Sequence, residues 1–195
     1  GLGDIGAAAS MPVMEGKALL FKYLGGVDAF PVMLDTKDPA EIIDMVKKLQ
    51  PSFGGINLED IASPKCYRIL DALREECEIP VWHDDQQGTA TVTLAGLINA
   101  LKVVGKDIGD VKIVFIGSGA SNVACARLIF GWGAEPARCL VVDSKGIMGE
   151  HRKDIEGRKE EYPEKWSLCR KANGAGVEGG METALRDADV VVALS

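Results

Sequence analysis

What this chain lacks narrows its chemistry. It has no tract of Lys and Arg to set against a net charge of −7. That argues against nucleic acid as the main partner, because phosphate backbones are held by clustered cations. No apolar run approaches the ~18 residues of a membrane-spanning helix. Five cysteines (Cys66, Cys77, Cys125, Cys139 and Cys169) lie far apart, with no C-x-x-C pair. An odd number without a framework argues for free, packed thiols, a reducing compartment and a cytoplasmic location. Internal repeats and low-complexity tracts are absent, and no signal peptide is visible. An initiator Met is also missing, and the chain stops just after the apolar run VVVALS. Flanks missing at both ends are therefore expected.

What is present alternates between strand and helix patterns. The 195 residues and 47% hydrophobic content suit one large or two small domains with buried cores. Met14, Lys17, Ala18, Leu20, Phe21 and Leu24 recur at helical spacing, which puts Lys17 on or near an apolar face. Asp28 to Leu34 reads as a strand containing a proline. Asp38-Pro39 then caps a helix buried through Ile42, Ile43, Val46 and Leu49. Ser52 to Leu58 is a strand delivering Glu59 and Asp60. Ser63-Pro64 opens a helix through Ile69, Leu70 and Leu73. Pro80 to Trp82 is a short strand that runs into His83, Asp84 and Asp85. Gln86 to Val104 forms a long helix with Leu94, Leu97, Ile98 and Leu101 inward, and the glycines from Gly105 to Gly109 end it. The expected class is α/β: a parallel βαβ segment over residues 1–105, then a Rossmann-like dinucleotide-binding domain over 106–195.

The second half carries the more specific pattern. Val111 to Ile116 is a strand, and Gly117, Ser118, Gly119, Ala120, Ser121 and Asn122 form a glycine turn. Val123 to Trp132 is a helix, and Cys139 to Val142 a strand ending in Asp143, 24 residues after Gly119. Strand, glycine turn, helix, strand and acid is the context of a dinucleotide site, with the pyrophosphate at the helix N-terminus and the acid on the ribose. Asn122 stands where the third motif glycine belongs, so looser helix packing is expected. Ser144 and Lys145 beside Asp143 favour a 2′-phosphate, hence NADP, with NAD possible. Glu150 to Lys171 reads as a solvated, charged excursion with short helical pieces around Pro163 to Arg170. His151 reads as surface. A small helix over Gly180 to Asp187 and a strand over Asp189 to Ala193 follow. Near the start, Gly1, Gly3 and Gly6 fit G-x-G-x-x-G spacing. Without a preceding strand this is as consistent with a flexible turn as with a phosphate-touching loop.

Glu59, Asp60, Asp84 and Asp85 place four carboxylates at two strand tips. In parallel sheets, working groups gather at the carboxyl ends of strands. Hard oxygen donors without paired His or Cys suit Mg²⁺ or Mn²⁺ rather than zinc. Four carboxylates over-neutralise one divalent ion, so three ligands plus one spare acid is the better division. The spare acid has a partner in Lys17. Metal, lysine–aspartate pair and nicotinamide together suggest a 2-hydroxy acid substrate, whose hydroxyl proton passes to the lysine as hydride leaves.

The motifs GLGDIG, MEGKALLF, GGINLEDI, HDDQQGTA and VDSKG together resemble malic enzyme of the shorter bacterial, archaeal or protist type, along the whole chain. The resemblance implies oxidative decarboxylation of malate to pyruvate and CO₂ with NAD(P) and Mg²⁺ or Mn²⁺, in a homodimer. It implies Lys17 as general base with Asp84 as its partner, and Glu59, Asp60 and Asp85 as metal ligands. Residues of GSGAS and Asp143, Ser144 and Lys145 fall to the cofactor. It also implies a proton-donating tyrosine and a substrate-binding arginine N-terminal to Gly1, and asparagines beyond the last strand. A different reading of the same residues is a non-catalytic module that binds metal or nucleotide.

Overall fold

The structure, a computed structural model, describes residues 3–194. The chain divides into two compact units, one ending at Asp84 and the other starting at Asp85. The glycine break at Gly105 was the expected boundary. It caps the helix Thr89–Val104 instead, and that helix packs on the one that follows the glycine turn, so it belongs with the second unit.

In the first unit, α1 (Ala7–Gly25) is followed by α2 (Pro39–Leu49), β1 (Ile56–Leu58), α3 (Lys65–Glu76) and β2 (Val81–His83). Asp38 caps α2 as expected, its side chain accepting from the N–H groups of Ala40 and Glu41. Strands β1 and β2 are parallel, with Ile56 opposite Val81 and Leu58 opposite His83. Ile42 and Val46 of α2, Leu58 of β1, Ile69, Leu70 and Leu73 of α3, and Val81 of β2 close one core. Each side chain so buried contributes on the order of 1.5–3 kcal/mol. Asp28 to Leu34 is not a strand; the segment between Gly26 and Asp38 has no regular structure. Pro31 carries no N–H for a ladder, and the sheet of this unit, among the described residues, ends at β1 and β2. Helix α1 forms, yet none of its residues is buried, and Leu19, Phe21, Tyr23 and Leu24 are exposed.

The second unit starts with a π-turn over Asp84–Gly88, whose first residue closes the first unit, and continues as α4 (Thr89–Val104). Then come β3 (Ile113–Ile116), α5 (Ala120–Trp132), β4 (Leu140–Asp143), β5 (Gly146–Ile147), α6 (Lys153–Glu156), α7 (Pro163–Lys171), α8 (Met181–Leu185) and β6 (Val190–Ala193). The sheet order is β5-β4-β3-β6. β3 is parallel to both β4 and β6, and β5 runs antiparallel to β4. Three parallel strands with α5 as the β3–β4 crossover form the Rossmann-like half that the sequence pattern predicts. Val114, Leu140, Val142, Ile147 and Ala184 pack one face of it. Phe115 meets Phe130 of α5 edge-on, with ring centroids 6.1 Å apart.

The charged stretch from Glu150 to Lys171 is not simply solvated. It buries Arg152, Ile155, Leu168 and Cys169, because α6 and α7 turn an apolar side inward beneath a charged exterior. All five cysteines are free thiols. Burial pushes Cys139 and Cys169 up to about 11, which leaves them inert at neutral pH. No helix among the described residues is long and apolar enough to cross a membrane.

One carboxylate ties β6 to the strand at the centre of the sheet. Asp189 accepts the Lys112 N–H at 2.9 Å through Oδ2, and Lys106 pairs with Oδ1. The Lys106 hydrogen bond and then the backbone bond hold this carboxyl below the usual aspartate value. A group depressed in the folded state stabilises above its unfolded pKa and loses that contribution as pH falls through the folded one. Asp189→Asn should therefore lower the urea midpoint at pH 7. The gap from wild type should close as pH is taken below ~4. Urea titrations at several pH values check this.

Candidate active site and cofactor cradle

The parallel register of β1 and β2 sets the first site. Leu58 and His83 stand opposite each other, so the residues that follow them, Glu59 and Asp84, leave the sheet at the same edge. Such a pair of carboxylates repels unless a cation lies between them. Lys17 of α1 supplies one. Its ammonium lies 3.2 Å from Glu59 and donates a short hydrogen bond to Asp84. Burial would lower the Lys17 pKa, but the hydrogen bonds to Asp84 and Glu59 outweigh it and hold the ammonium above the ordinary lysine value. The helical spacing of MEGKALLF thus aims Lys17 at the acids rather than at water.

Local contacts hold the tip in shape. The Asn57 amide donates to Glu59 at 3.3 Å. Asp60 is buried and has a φ of 50°, a left-handed conformation that few residues other than glycine adopt. Such backbone strain persists where the surroundings over-determine it. Here Asp4 contributes: it accepts the Ala62 N–H at 2.9 Å and pairs with Lys65 at 2.7 Å. The GLGDIG segment therefore braces the acidic loop. Its role is structural at Asp4, and Gly3 and Gly6 adopt positive φ in the turn before α1. Gly1 lies outside the described residues. Lys17, Glu59 and Asp60 line a cavity of about 1090 Å³ in the first unit, ample for a small organic acid. Asp85, next along the chain after Asp84, is buried in the second unit. Its carbonyl accepts from Ser121 at 2.7 Å. The donor set at the tips is entirely carboxylate oxygen, which suits a hard divalent cation.

The second site lies at the carboxyl ends of β3 and β4. Gly117 has a φ of 98°, available without strain only to glycine, and its N–H bonds the Val142 carbonyl at 2.8 Å. Gly119 caps α5 with no side chain on the helix N–H groups, and a Cβ placed there would meet nothing within 4 Å. Open N–H groups beside free space fit a pyrophosphate. Ser118 is buried, and Ala120 and Ser121 begin the helix.

Asn122 does more than replace a glycine. Its buried amide donates to the Ile116 carbonyl at 2.5 Å and the Gly117 carbonyl at 3.1 Å. The expected loosening of α5 is therefore wrong in direction: the side chain pins the helix to the strand end. An amide is the one signal the glycine template hides.

At β4, Asp143 stands at the strand end as expected, with Ser144 and Lys145 exposed after it. Sequence reasoning missed Arg152. This buried guanidinium binds both Asp143 oxygens, at 2.9 and 3.0 Å, and pairs with Asp154. Its pKa is raised, by Asp154 first and then Asp143. Arg152 lies in the stretch read as solvated, and nothing in its spacing marks it. His151, also there, contacts the Ile147 carbonyl at 3.1 Å through its ring.

Restoring the motif glycine tests the role of Asn122. Asn122→Gly should destabilise the protein by about 1–3 kcal/mol, since two part-buried hydrogen bonds at the end of β3 are lost. It should also weaken dinucleotide binding. Chemical denaturation and calorimetric titration measure both, and an unchanged midpoint would dismiss the pinning role.

Sequence comparison now bears on these sites. A profile described as "Malic enzyme, N-terminal domain" matches residues 1–41, and "Malic enzyme, NAD binding domain" matches residues 86–188. The NAD-dependent malic enzyme of Geobacillus stearothermophilus is 47% identical over 197 residues, spanning 100% of this chain and 39% of the relative. The NADP-dependent malic enzyme of Escherichia coli is 49% identical over 152 residues, spanning 78% of this chain and 20% of the relative. The crystal structure of Entamoeba histolytica malic enzyme superposes with a TM-score of 0.92 at 51% identity, over 99% of this chain and 40% of that one. The chain thus spans less than half the length of these relatives. With the NAD-binding profile covering more than half of its residues, and two sites built as described, the chain belongs to the malic enzyme family.

Proposed function

We propose that the protein carrying this chain performs the oxidative decarboxylation of malate to pyruvate and CO₂, reducing NAD(P) with a divalent cation. The observation that carries this reading is Lys17 held between Glu59 and Asp84 beside the cavity. In this reading Glu59, Asp60 and Asp85 hold Mg²⁺ or Mn²⁺. The tips of two parallel neighbours and their all-oxygen donor set support that assignment. Gly117 to Ser121, with Asp143, Ser144 and Lys145, hold the dinucleotide, supported by the open N-terminus of α5 and the acid at the end of β4. The bound cation supplies positive charge to polarise the C2 oxygen, and the nicotinamide supplies the hydride acceptor.

The chain's own residues handle the proton. Lys17 and Asp84 share one proton site at the cavity wall. Lys17 first releases its resting proton to solvent; the free amine then takes up the hydroxyl proton as C2 is oxidised, and Asp84 fixes the direction in which the amine points. Glu59 contacts the same amine, so its carboxylate couples lysine position to the acidic tip. Asp4, through the Ala62 N–H and Lys65, keeps the tip with its left-handed Asp60 from relaxing. Loss of CO₂ from the keto acid leaves the bonding pair as an enolate, whose carbon is protonated to give pyruvate by the tyrosine that the family resemblance implies N-terminal to Gly1. The family resemblance extends the proposal to a homodimer working in the cytoplasm.

Asp85→Ala in the intact native protein tests the assignment. Removing one ligand should abolish malate-driven NAD(P) reduction and weaken Mn²⁺ binding by at least ~tenfold. The two readouts are the absorbance of the reduced cofactor and Mn²⁺ titration followed by electron paramagnetic resonance. Full activity with unchanged Mn²⁺ affinity would sink the metal assignment.

A further inference from the structure

Lys145 was expected to reach for a 2′-phosphate, but in the structure it is already engaged. Its Nζ lies 3.0 Å from Asp154 Oδ2. The same carboxylate accepts from Arg152, at 2.8 Å through Nε and 3.0 Å through Nη2. The other edge of Arg152 is bidentate on Asp143, and Nη1 also donates to the Gly146 carbonyl at 3.4 Å. All five N–H donors of the guanidinium are thereby used. Lys145, Asp154, Arg152 and Asp143 form a line of alternating charge that sums to zero.

The location gives this chain of charges a meaning. Asp143 ends β4, where a Rossmann-like fold holds the adenosine ribose. A 2′-phosphate there needs cationic donors, and Lys145 and Arg152 are the cations beside that strand end. Both are committed to Asp154. The carboxylate occupies the donors that phosphate oxygens would take, and its charge repels a phosphate dianion. A plain 2′-hydroxyl makes no such demand. Arg152 is buried with its face fixed by Asp143, whereas the Lys145 side chain is 67% exposed and held by Asp154 alone among the contacts described. Displacement of Asp154 therefore governs whether these cations serve a phosphate.

We propose that Asp154 is a specificity-determining residue: an exposed carboxylate of the chain's own that competes with a 2′-phosphate for Lys145 and Arg152 and so sets the balance between NAD and NADP. The inference rests on the dinucleotide reading of the β3–β4 edge and names a determinant of choice that this reading leaves open. Asp154→Asn keeps the size and one acceptor for Arg152 while leaving the site with one net positive charge. A charge-assisted contact released to the ligand is expected to raise affinity roughly tenfold or more.

The test is equilibrium binding to the full chain by calorimetry, with NAD, NADP, 5′-AMP and adenosine 2′,5′-bisphosphate as probes. Asp154→Asn should tighten NADP and the bisphosphate at least ~tenfold while moving NAD and 5′-AMP by less than about twofold. Adding Lys145→Ala to that variant should cancel most of the gain, and the gain should shrink at high salt. A NADP-to-NAD affinity ratio within about twofold of wild type in Asp154→Asn would overturn the competitor role with the cofactor reading intact. Wild-type chain that binds neither dinucleotide nor either adenosine probe would overturn the cofactor reading, and this inference with it. Circular dichroism of each variant confirms the fold, and Asp154→Ser serves the same comparison should Asp154→Asn unfold.

Discussion

The parallel pairing of β1 and β2 is the constraint on which the acidic site depends. Parallel strands point their carboxyl ends the same way, and a register that pairs Leu58 with His83 makes Glu59 and Asp84 neighbours at one edge. An antiparallel pair would send the two acids to opposite ends. Once they share an edge, their repulsion must be met by a cation, and Lys17 meets it from α1. The core under the strands, closed by Ile69, Leu73 and Val81 among others, fixes this geometry. A slip of one residue would turn the inward side chains outward. Hydrophobic packing and site chemistry are therefore the same constraint seen from two sides.

The β4 edge follows a related design. It too gathers carboxylates at a strand end, and it too answers them with a cation from another element. The two cations differ in kind. Lys17 is a single point charge on a flexible stem, suited to exchanging a proton. Arg152 is a planar fork that keeps its charge and locks two carboxylates in fixed directions. A lysine at a site that handles protons and an arginine at a site that orients a ribose each match the work proposed for them.

Much of this was legible in the chain. The alternation of apolar runs gave β1, β2, β3 and β4, since burial of a strand writes itself into consecutive residues. Asp38 announced its cap, because capping is local. Asp28 to Leu34 misled for the opposite reason: its residues favour a strand, but a strand exists only where another strand accepts its hydrogen bonds. Asn122 misled because a template that asks for glycine scores an amide as a loss, whereas the amide bonds two carbonyls. Arg152 was invisible. Its partners stand nine residues before it and two after, and a charged stretch gives no sign of which guanidinium turns inward.

The sequence by itself determined the inventory: hard oxygen donors at two strand ends, a lysine at helical spacing, a glycine turn before a helix, and an acid after the next strand. These are local facts, set by the periodicity of the backbone and the conformational freedom of single residues. Only the tertiary structure decided who faces whom. It put Lys17 against Asp84 across 67 positions of sequence, and it committed Lys145 to Asp154 rather than leaving it free for a ligand. Coulombic pairing acts through space within a few ångströms, and the fold alone sets that distance.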